Sequence, residues 1–323
     1  MLELTRNVAD RARTTLGVAA QNLATLDVMA LAFHAYLFLR VSIAPDSPDA
    51  TVARRLALAL LVVTACSLVL ARGEVIRGQR ARALTYRLGL VMPMVLSYFE
   101  MRVLLPALQP DLLDHQLFAI DLWLLGTTPS VWMEAWNVEP VVEWLSLFYY
   151  THFFLMVVML IPALIFGKGR RMQELMAGAM LVVAAGHFLY TIVPGAGPYA
   201  TIAFDQPLQG GFWWNQVELT VATAGAQLDI FPSLHTAWPA YFALHAFAHR
   251  DRQPFRSLWP ILGFMAVNII IATMFLRWHW FIDVAAGLLL AVAARRFAVA
   301  ITSREELRGG PYDARQPVWE RLL

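Results

Sequence analysis

Charge is scarce in this chain of 323 residues: Asp, Glu, Lys and Arg together make up 15%, and the formal net charge is +2. A soluble domain carries about 25% charged residues. So little charge excludes a disordered chain, which needs solvating charges, and a basic nucleic-acid binder, which needs cations to neutralise phosphates. Because 59% of the residues are hydrophobic, we predict an integral membrane protein with no nucleic-acid partner.

Cysteine is almost absent as well. Cys66 is the only one, and it lies in an apolar run. A single cysteine excludes an internal disulfide and a metal site that is built from several thiolates. We therefore expect Cys66 to have a structural role, and we expect no cofactor.

Long apolar runs are abundant. A helix needs about 20 apolar residues to cross a bilayer. Eight such runs are found, at 24–44, 55–71, 86–108, 142–166, 173–194, 232–249, 258–276 and 280–300. They predict an all-α fold, a polytopic membrane helical bundle with about eight transmembrane helices. Of the intervening segments, 106–141 is predicted to lie along the outer interface as short helices, and 195–230 to cover a site there.

Arginine and lysine predict the orientation, because cytoplasmic loops collect basic residues. These residues cluster in the segments 72–87, 167–172 and 250–257 and in the tail. None occurs in 103–167 or 172–249, and only Arg54 and Arg55, in the first short outer loop, depart from the rule. We therefore predict a multi-pass protein of the cell membrane, with both termini in the cytoplasm.

Two short motifs each place ionisable side chains at the start of a predicted span. A Phe-Pro-Ser-Leu-His motif occupies 231–235, and a His-Trp-Phe-Ile-Asp motif occupies 279–283. His279 and Asp283 are one helical turn apart, so the carboxylate can hold one ring nitrogen and leave the other for chemistry. Ionisable groups inside a membrane are costly and usually mark function. A purely structural His–Asp pair is the alternative interpretation.

The predicted topology places both motifs at the extracytoplasmic face. The two spans run in the same direction, so their N-termini, with free N–H groups and positive dipole ends, face that side together. Two helix N-termini beside His235 and His279 favour the binding of an anion, and among anions a phosphate fits best. Because the site lies at the starts of two membrane spans, the ligand is expected to be amphiphilic, either a phospholipid or a polyprenyl phosphate.

Together the two motifs resemble the type 2 phosphatidic acid phosphatase superfamily. The resemblance is closer to its inositol phosphorylceramide synthase-like branch, to which the sphingomyelin synthases are also similar. It implies that His279 attacks phosphorus to form a phosphohistidine, that Asp283 orients His279, and that His235 protonates the leaving oxygen.

The resemblance also implies a domain organisation. The superfamily's core of six helices corresponds to residues 86–302 of this chain. Residues 1–85 then form an N-terminal arm with two extra transmembrane helices, and 303–323 form a cytoplasmic tail.

Weaker signatures of the same branch extend the implied site. They lie at 98–102, around Asp121 and Gly126, at 150–153 and at 190–198. With the main motifs and the basic residues nearest the outer face, they imply a set of substrate- or phosphate-binding residues. The set is Arg102, Ser233, Leu234, Arg277, Asp121, Tyr150 and His152.

The chain also departs from the phosphatase members, which carry three phosphate-binding cations that are missing here. Their Lys-to-Arg-Pro motif is replaced by 193–198, and Thr273 stands where their third motif has Arg. A transferred phosphodiester carries one charge and not two, so this loss favours a phosphotransferase that passes a phospho-head-group from a lipid donor to a hydroxyl acceptor. Arg102 and Arg277 are expected to supply the remaining positive charge.

Two other functions stay open at this stage. A lipid or polyprenyl phosphate phosphatase would use the same residues with water as the acceptor. A non-enzymatic lipid transporter or scaffold would have no need of the ionisable groups at His235, His279 and Asp283. The donor, the acceptor and the oligomeric state are not predicted.

A second histidine pair lies elsewhere on the sixth span. His245 and His249 are spaced to share a helix face, as metal ligands often are, but the sequence shows no evident third ligand. We therefore expect an interfacial role for this pair and no metal ion.

Overall fold

A computed structural model describes residues 14–224, 226–308, 318, 319 and 322 of the chain. The model is 78% helical, and the described residues contain no strand. The predicted all-α fold, a polytopic helical bundle, is confirmed.

The helices are named here in chain order. They are α1 Thr25–Ser42, α2 Pro48–Arg72, α3 Gln79–Ala107, α4 Asp114–Leu125, α5 Pro129–Trp132, α6 Glu139–Phe166, α7 Gly169–Tyr190, α8 Pro198–Thr201, α9 Phe212–Ala224, α10 Leu234–Ala248, α11 Phe255–Phe275 and α12 Phe281–Arg308. A 3-10 turn, Met133–Trp136, follows α5, and residues 14–22 are also helical. The short helices α4, α5, α8 and α9 lie in the two segments predicted to flank the outer face.

Seven of the described helices, α1, α2, α3, α6, α7, α11 and α12, are long and apolar enough to cross a membrane. The remaining predicted span, 232–249, forms α10, which has only 15 residues. At about 1.5 Å per residue it is shorter than a hydrocarbon core of about 30 Å. Helix α10 packs against α7, α11 and α12, and ten of its residues are buried. The eight predicted spans are thus seven full-length helices and one short interior helix.

Small residues bring the starts of α10 and α12 together. A Cβ added at Gly287 of α12 would lie 2.5 Å from the carbonyl oxygen of Ser233. The N–H of Ser233 donates to the carbonyl of Asp283 over 3.0 Å. Close backbone contact of this kind is what glycine permits in membrane bundles. It places the two sequence motifs side by side.

The N-terminal helices are joined to the bundle by a buried charge network. The carboxylate of Asp27 in α1 accepts hydrogen bonds from Arg72 of α2 over 2.7 Å and from the Tyr86 hydroxyl of α3 over 2.6 Å. Asp27 has no exposed surface. A buried charge in a membrane helix needs such a partner, so this contact holds α1, α2 and α3 in one arrangement.

Candidate active site

His235 and His279 face each other at one end of the bundle, with their ring centroids 6.0 Å apart. Nδ1 of His279 lies 3.4 Å from Oδ2 of Asp283, at the long end for a hydrogen bond. The same carboxylate oxygen accepts the N–H of Trp280 over 2.9 Å. Asp283 is completely buried behind the imidazole. With Nδ1 turned to this carboxylate, Nε2 is the nitrogen that would attack a substrate, and the backbone of Ile230 also hydrogen-bonds the ring.

Both histidines line a cavity of about 360 Å³. Its wall is largely apolar and is formed by α3, α6, α7, α8, α9, α10 and adjoining loops. The polar groups on it are mainly histidines and tyrosines: His152, His187, His235, His279, Tyr98, Tyr149, Tyr190 and Tyr199. No lysine or arginine is among its lining residues in the described part of the chain.

Aromatic rings enclose His235. The ring of Tyr149 stacks on it at a centroid distance of 4.3 Å with an interplanar angle of 12°, and the ring of His152 also lies 4.3 Å away. Nε2 of His235 and Nδ1 of His152 are buried without a hydrogen-bond partner among the described residues. Such nitrogens are normally bonded, so both are available to a substrate.

Burial sets the protonation state of His279, which belongs to the loop between α11 and α12. It lowers the pKa of His279 to about 4, and the carboxylate of Asp229 partly offsets the effect. The imidazole is therefore neutral near pH 7, the form that a nucleophile needs. Burial also raises the pKa of Asp229.

This pair of motifs falls within a recognisable family domain. The model of the PAP2 superfamily matches residues 115–297, more than half of the 323-residue chain. The protein belongs to the PAP2 superfamily. No curated protein and no solved structure matches the chain. The match includes both motifs and excludes α1 and α2.

The two arginines expected to bind phosphate do not line the cavity of this PAP2 protein. Arg102 is exposed on α3 and donates to the carbonyl of Thr223 at the end of α9. Arg277 is buried, but it forms an ion pair with Glu134 over 3.0 Å and donates to the carbonyl of Gln206 over 2.9 Å. Each guanidinium binds an oxygen of a residue that is distant in sequence, and neither guanidinium lines the cavity that contains His279.

Asp121 caps α12 and has no place on the cavity wall. Its carboxylate accepts the N–H groups of Phe281 and Ile282 over 2.8 and 3.0 Å and the hydroxyl of Thr128 over 2.8 Å. Both carboxylate oxygens thus hold the start of α12 beside His279, and the expected substrate contact of Asp121 stays a prediction.

Ser233 is likewise a cap, for α10. Its hydroxyl oxygen accepts the N–H of Thr236 over 3.2 Å, and the residue is fully buried. Together with Asp121 and Asp283, it occupies several N–H groups at the two helix starts that the sequence assigned to an anion. The helix dipoles remain, but those donors are not free to bind phosphate directly.

Tyr150, which was expected to bind substrate, lies on a different face of α6 from the residues that line the cavity. Tyr150 contacts the ring of Trp213 at 5.7 Å and does not line the cavity, whereas Tyr149 does. Adjacent residues of a helix point about 100° apart, so Tyr149 shares its face with His152 and Tyr150 does not. Tyr150 therefore faces Trp213, and its expected contact with substrate stays a prediction.

The predicted residues thus fall into three groups. His235, His279, His152 and Leu234 line the cavity, and Asp283 lies behind His279. Ser233 and Asp121 cap helices, whereas Arg102, Arg277 and Tyr150 lie elsewhere.

Two acidic residues that sequence reasoning did not select also shape the site. Asp229 lines the cavity two residues before the motif at 231–235. Asp114 accepts the N–H groups of Ala196 and Gly197 over 2.8 and 2.7 Å and the indole N–H of Trp280 over 3.0 Å. For Asp229 the available signal was an acidic side chain beside a motif, in the segment 195–230 that was expected to cover the site.

Proposed function

We propose that this protein is a membrane lipid phosphotransferase. It takes a phospho-head-group from a lipid donor and passes it, through a phosphohistidine at His279, to the hydroxyl of an acceptor. Its PAP2 membership supports a phosphatase- or phosphotransferase-type lipid enzyme. The observation that carries the finer assignment is the cavity wall, which is largely apolar and has no lysine or arginine among its described lining residues.

The missing cations favour a phosphodiester over a phosphomonoester. A phosphomonoester is close to doubly charged at neutral pH, and without paired cations its desolvation is very costly. A phosphodiester carries one charge, which is easier to hold with neutral donors. The tyrosine hydroxyls and the unpartnered nitrogen of His152 are such donors. The apolar wall also disfavours water as the acceptor.

The positions of His279, His235 and Asp283 allow the head group to be transferred in two steps. In the first step Nε2 of His279 attacks phosphorus, the bond from phosphorus to the donor oxygen breaks, and that oxygen takes a proton from His235, which enters the step as the imidazolium and leaves it neutral. In the second step the acceptor hydroxyl returns a proton to His235, its oxygen attacks phosphorus, and the bond to His279 breaks. Asp283 orients His279 and stabilises the positive charge that develops on its ring.

Within the superfamily we assign the chain to the inositol phosphorylceramide synthase-like branch. The signatures at 98–102, 121–126, 150–153 and 190–198 support this assignment. We also propose that the cavity lies at the extracytoplasmic face, because the basic segments 72–87, 167–172 and 250–257 adjoin the other ends of the spans.

Phosphorus NMR tests the proposal directly. Wild type and His279→Ala are each incubated with a phospholipid mixture that contains polyprenyl phosphate and a range of lipid alcohols. His115→Ala is the matched control, because His115 is exposed on α4, away from the cavity. New phosphodiester signals from wild type and His115→Ala alone support a transferase. Inorganic phosphate in their place makes the protein a phosphatase, and identical spectra from all three proteins contradict an enzymatic role.

A further inference from the structure

A second cluster of histidines lies at the end of α10 remote from the cavity. His245 is in the last turn of α10, and His249 follows directly after the helix. Glu174, in the first turns of α7, faces both of them. The third side chain that the sequence did not reveal is therefore supplied by a different helix, about 70 residues earlier in the chain.

The three side chains have the spacing of a metal site. One ligand atom from each of Glu174, His245 and His249 lies within 4.8 Å of the others. Nε2 of His249 is 3.0 Å from Oε2 of Glu174, and the two imidazole rings are 4.7 Å apart. Zinc bonds of about 2.0–2.1 Å at tetrahedral angles place ligand atoms about 3.3 Å apart. Small rotations of the side chains would bring all three to that separation.

His245 supplies an independent indication of a ligand. It has no exposed surface, and neither Nδ1 nor Nε2 has a hydrogen-bond partner among the described residues. Buried polar groups are normally bonded, so two unpartnered nitrogens on one ring call for an explanation. A neutral imidazole with a free lone pair is the form that binds a metal ion.

Two arginines form an outer layer around the carboxylate. Arg170 donates to Oε1 of Glu174 over 2.8 Å, and Arg295 donates to Oε2 over 2.8 Å. Arg170 also pairs with Glu306 over 2.7 Å. Two carboxylates therefore balance two guanidiniums before any ion binds. Outer hydrogen bonds of this kind commonly orient metal ligands, although Arg295 must share Oε2 with the ion or release it.

We infer that Glu174, His245 and His249 form a site for a divalent transition metal, with zinc preferred by the ligand chemistry. Two imidazoles and one carboxylate are a zinc ligand set, and a water molecule completes the coordination. The site joins α7 to the end of α10 and takes no part in the chemistry at His279. It is independent of the proposed transferase activity.

Calorimetry on the purified full-length protein in detergent tests this inference. After treatment with a chelator, wild type is titrated with zinc chloride, and cobalt absorption reports tetrahedral coordination. We expect one zinc per chain, and His245→Ala weakens binding by at least about tenfold. His34→Ala is the matched control, because His34 is also buried with both nitrogens unpartnered but lies outside the cluster. Its affinity for zinc should equal that of wild type.

A second variant keeps the test decisive if His245→Ala fails to fold. His249→Gln retains a group that can hydrogen-bond Glu174 and sits near the surface, so it should fold and still lose zinc. Zinc should also raise the Tm of wild type and of His34→Ala, but not of His249→Gln. Absence of zinc binding by wild type, or equal affinity in wild type and His249→Gln, overturns the inference and leaves the cluster as an ion-pair network.

Discussion

Histidines near the two ends of α10 lie in opposite surroundings. His235 is stacked against Tyr149 in a largely apolar cavity, whereas His245 and His249 lie beside Glu174, which two arginines contact. The same side chain on one helix is thus suited to proton transfer at one end and to holding charge or metal at the other. The chemistry open to each of these histidines therefore depends more on the side chains that neighbouring helices bring to it than on the residue type.

The largest expected effect is at the cavity end. His279→Ala removes the nucleophile, so we expect turnover to fall by at least about 10³-fold, measured as head-group transfer between lipids. The same variant should bind zinc as tightly as wild type, because the cluster around Glu174 is remote from the cavity. Near-normal turnover by His279→Ala would falsify the proposed mechanism.

His235→Ala separates the two steps of that mechanism. With no acid to protonate the leaving oxygen, turnover should fall by about 10²–10⁴-fold. If the donor has a good leaving group, the phosphohistidine still forms, so the variant should retain phosphate label on the protein. Label on His279→Ala would contradict the identity of the nucleophile.

Asp283→Asn is expected to have a somewhat smaller effect. The amide keeps the shape of the carboxylate but does not stabilise the charged ring of His279, so kcat should fall by about 10²-fold or more. Thermal unfolding provides the control, since an unchanged Tm shows that the loss is chemical. A kcat close to that of wild type would mean that the pair is structural.

The pH dependence of kcat/KM reports on the cavity itself. Because burial lowers the pKa of His279 to about 4, the neutral nucleophile persists well below the usual histidine pKa of about 6.5. The acid limb should therefore appear only as the pH falls through the lowered value, and a separate alkaline limb should report loss of the proton that His235 must donate. Asp229→Asn removes a carboxylate that favours the charged ring, so it should shift the acid limb to still lower pH. An acid limb that stays near pH 6.5 in both proteins would contradict the dry environment assigned to His279.

The smallest effect is expected from Arg102→Gln. Because Arg102 is exposed and lies outside the cavity wall, kcat/KM should change by less than about threefold. The steady-state kinetics of lipid transfer check this. A loss of about 10²-fold would show that this arginine reaches the phosphate during turnover and that the cavity acquires a cation.

Local sequence patterns were enough to predict several features of this protein. Apolar runs of about 20 residues predict spanning helices wherever they occur, because unpaired backbone groups are not tolerated in lipid. The spacing of His279 and Asp283 predicts that the imidazole lies beside the carboxylate, and the structure has this contact although His279 lies just before α12 begins. These features depend on residues near one another in the sequence, and the structure contains them except at 232–249, where the helix is shorter than a span.

Long-range contacts decided the rest. Arg277 pairs with Glu134, 143 residues away, and Glu174 meets His249 from 75 residues away. Tyr149 lines the cavity and Tyr150 does not, since the rotation of α6 follows from its packing against other helices. A long side chain reaches whichever partner lies near it, and helix packing alone determines which partner that is. The sequence therefore predicts His279 and Asp283 as the reactive pair, whereas the packing of the helices leaves no lysine or arginine among the described residues that line the cavity and places Glu174 beside His245 and His249.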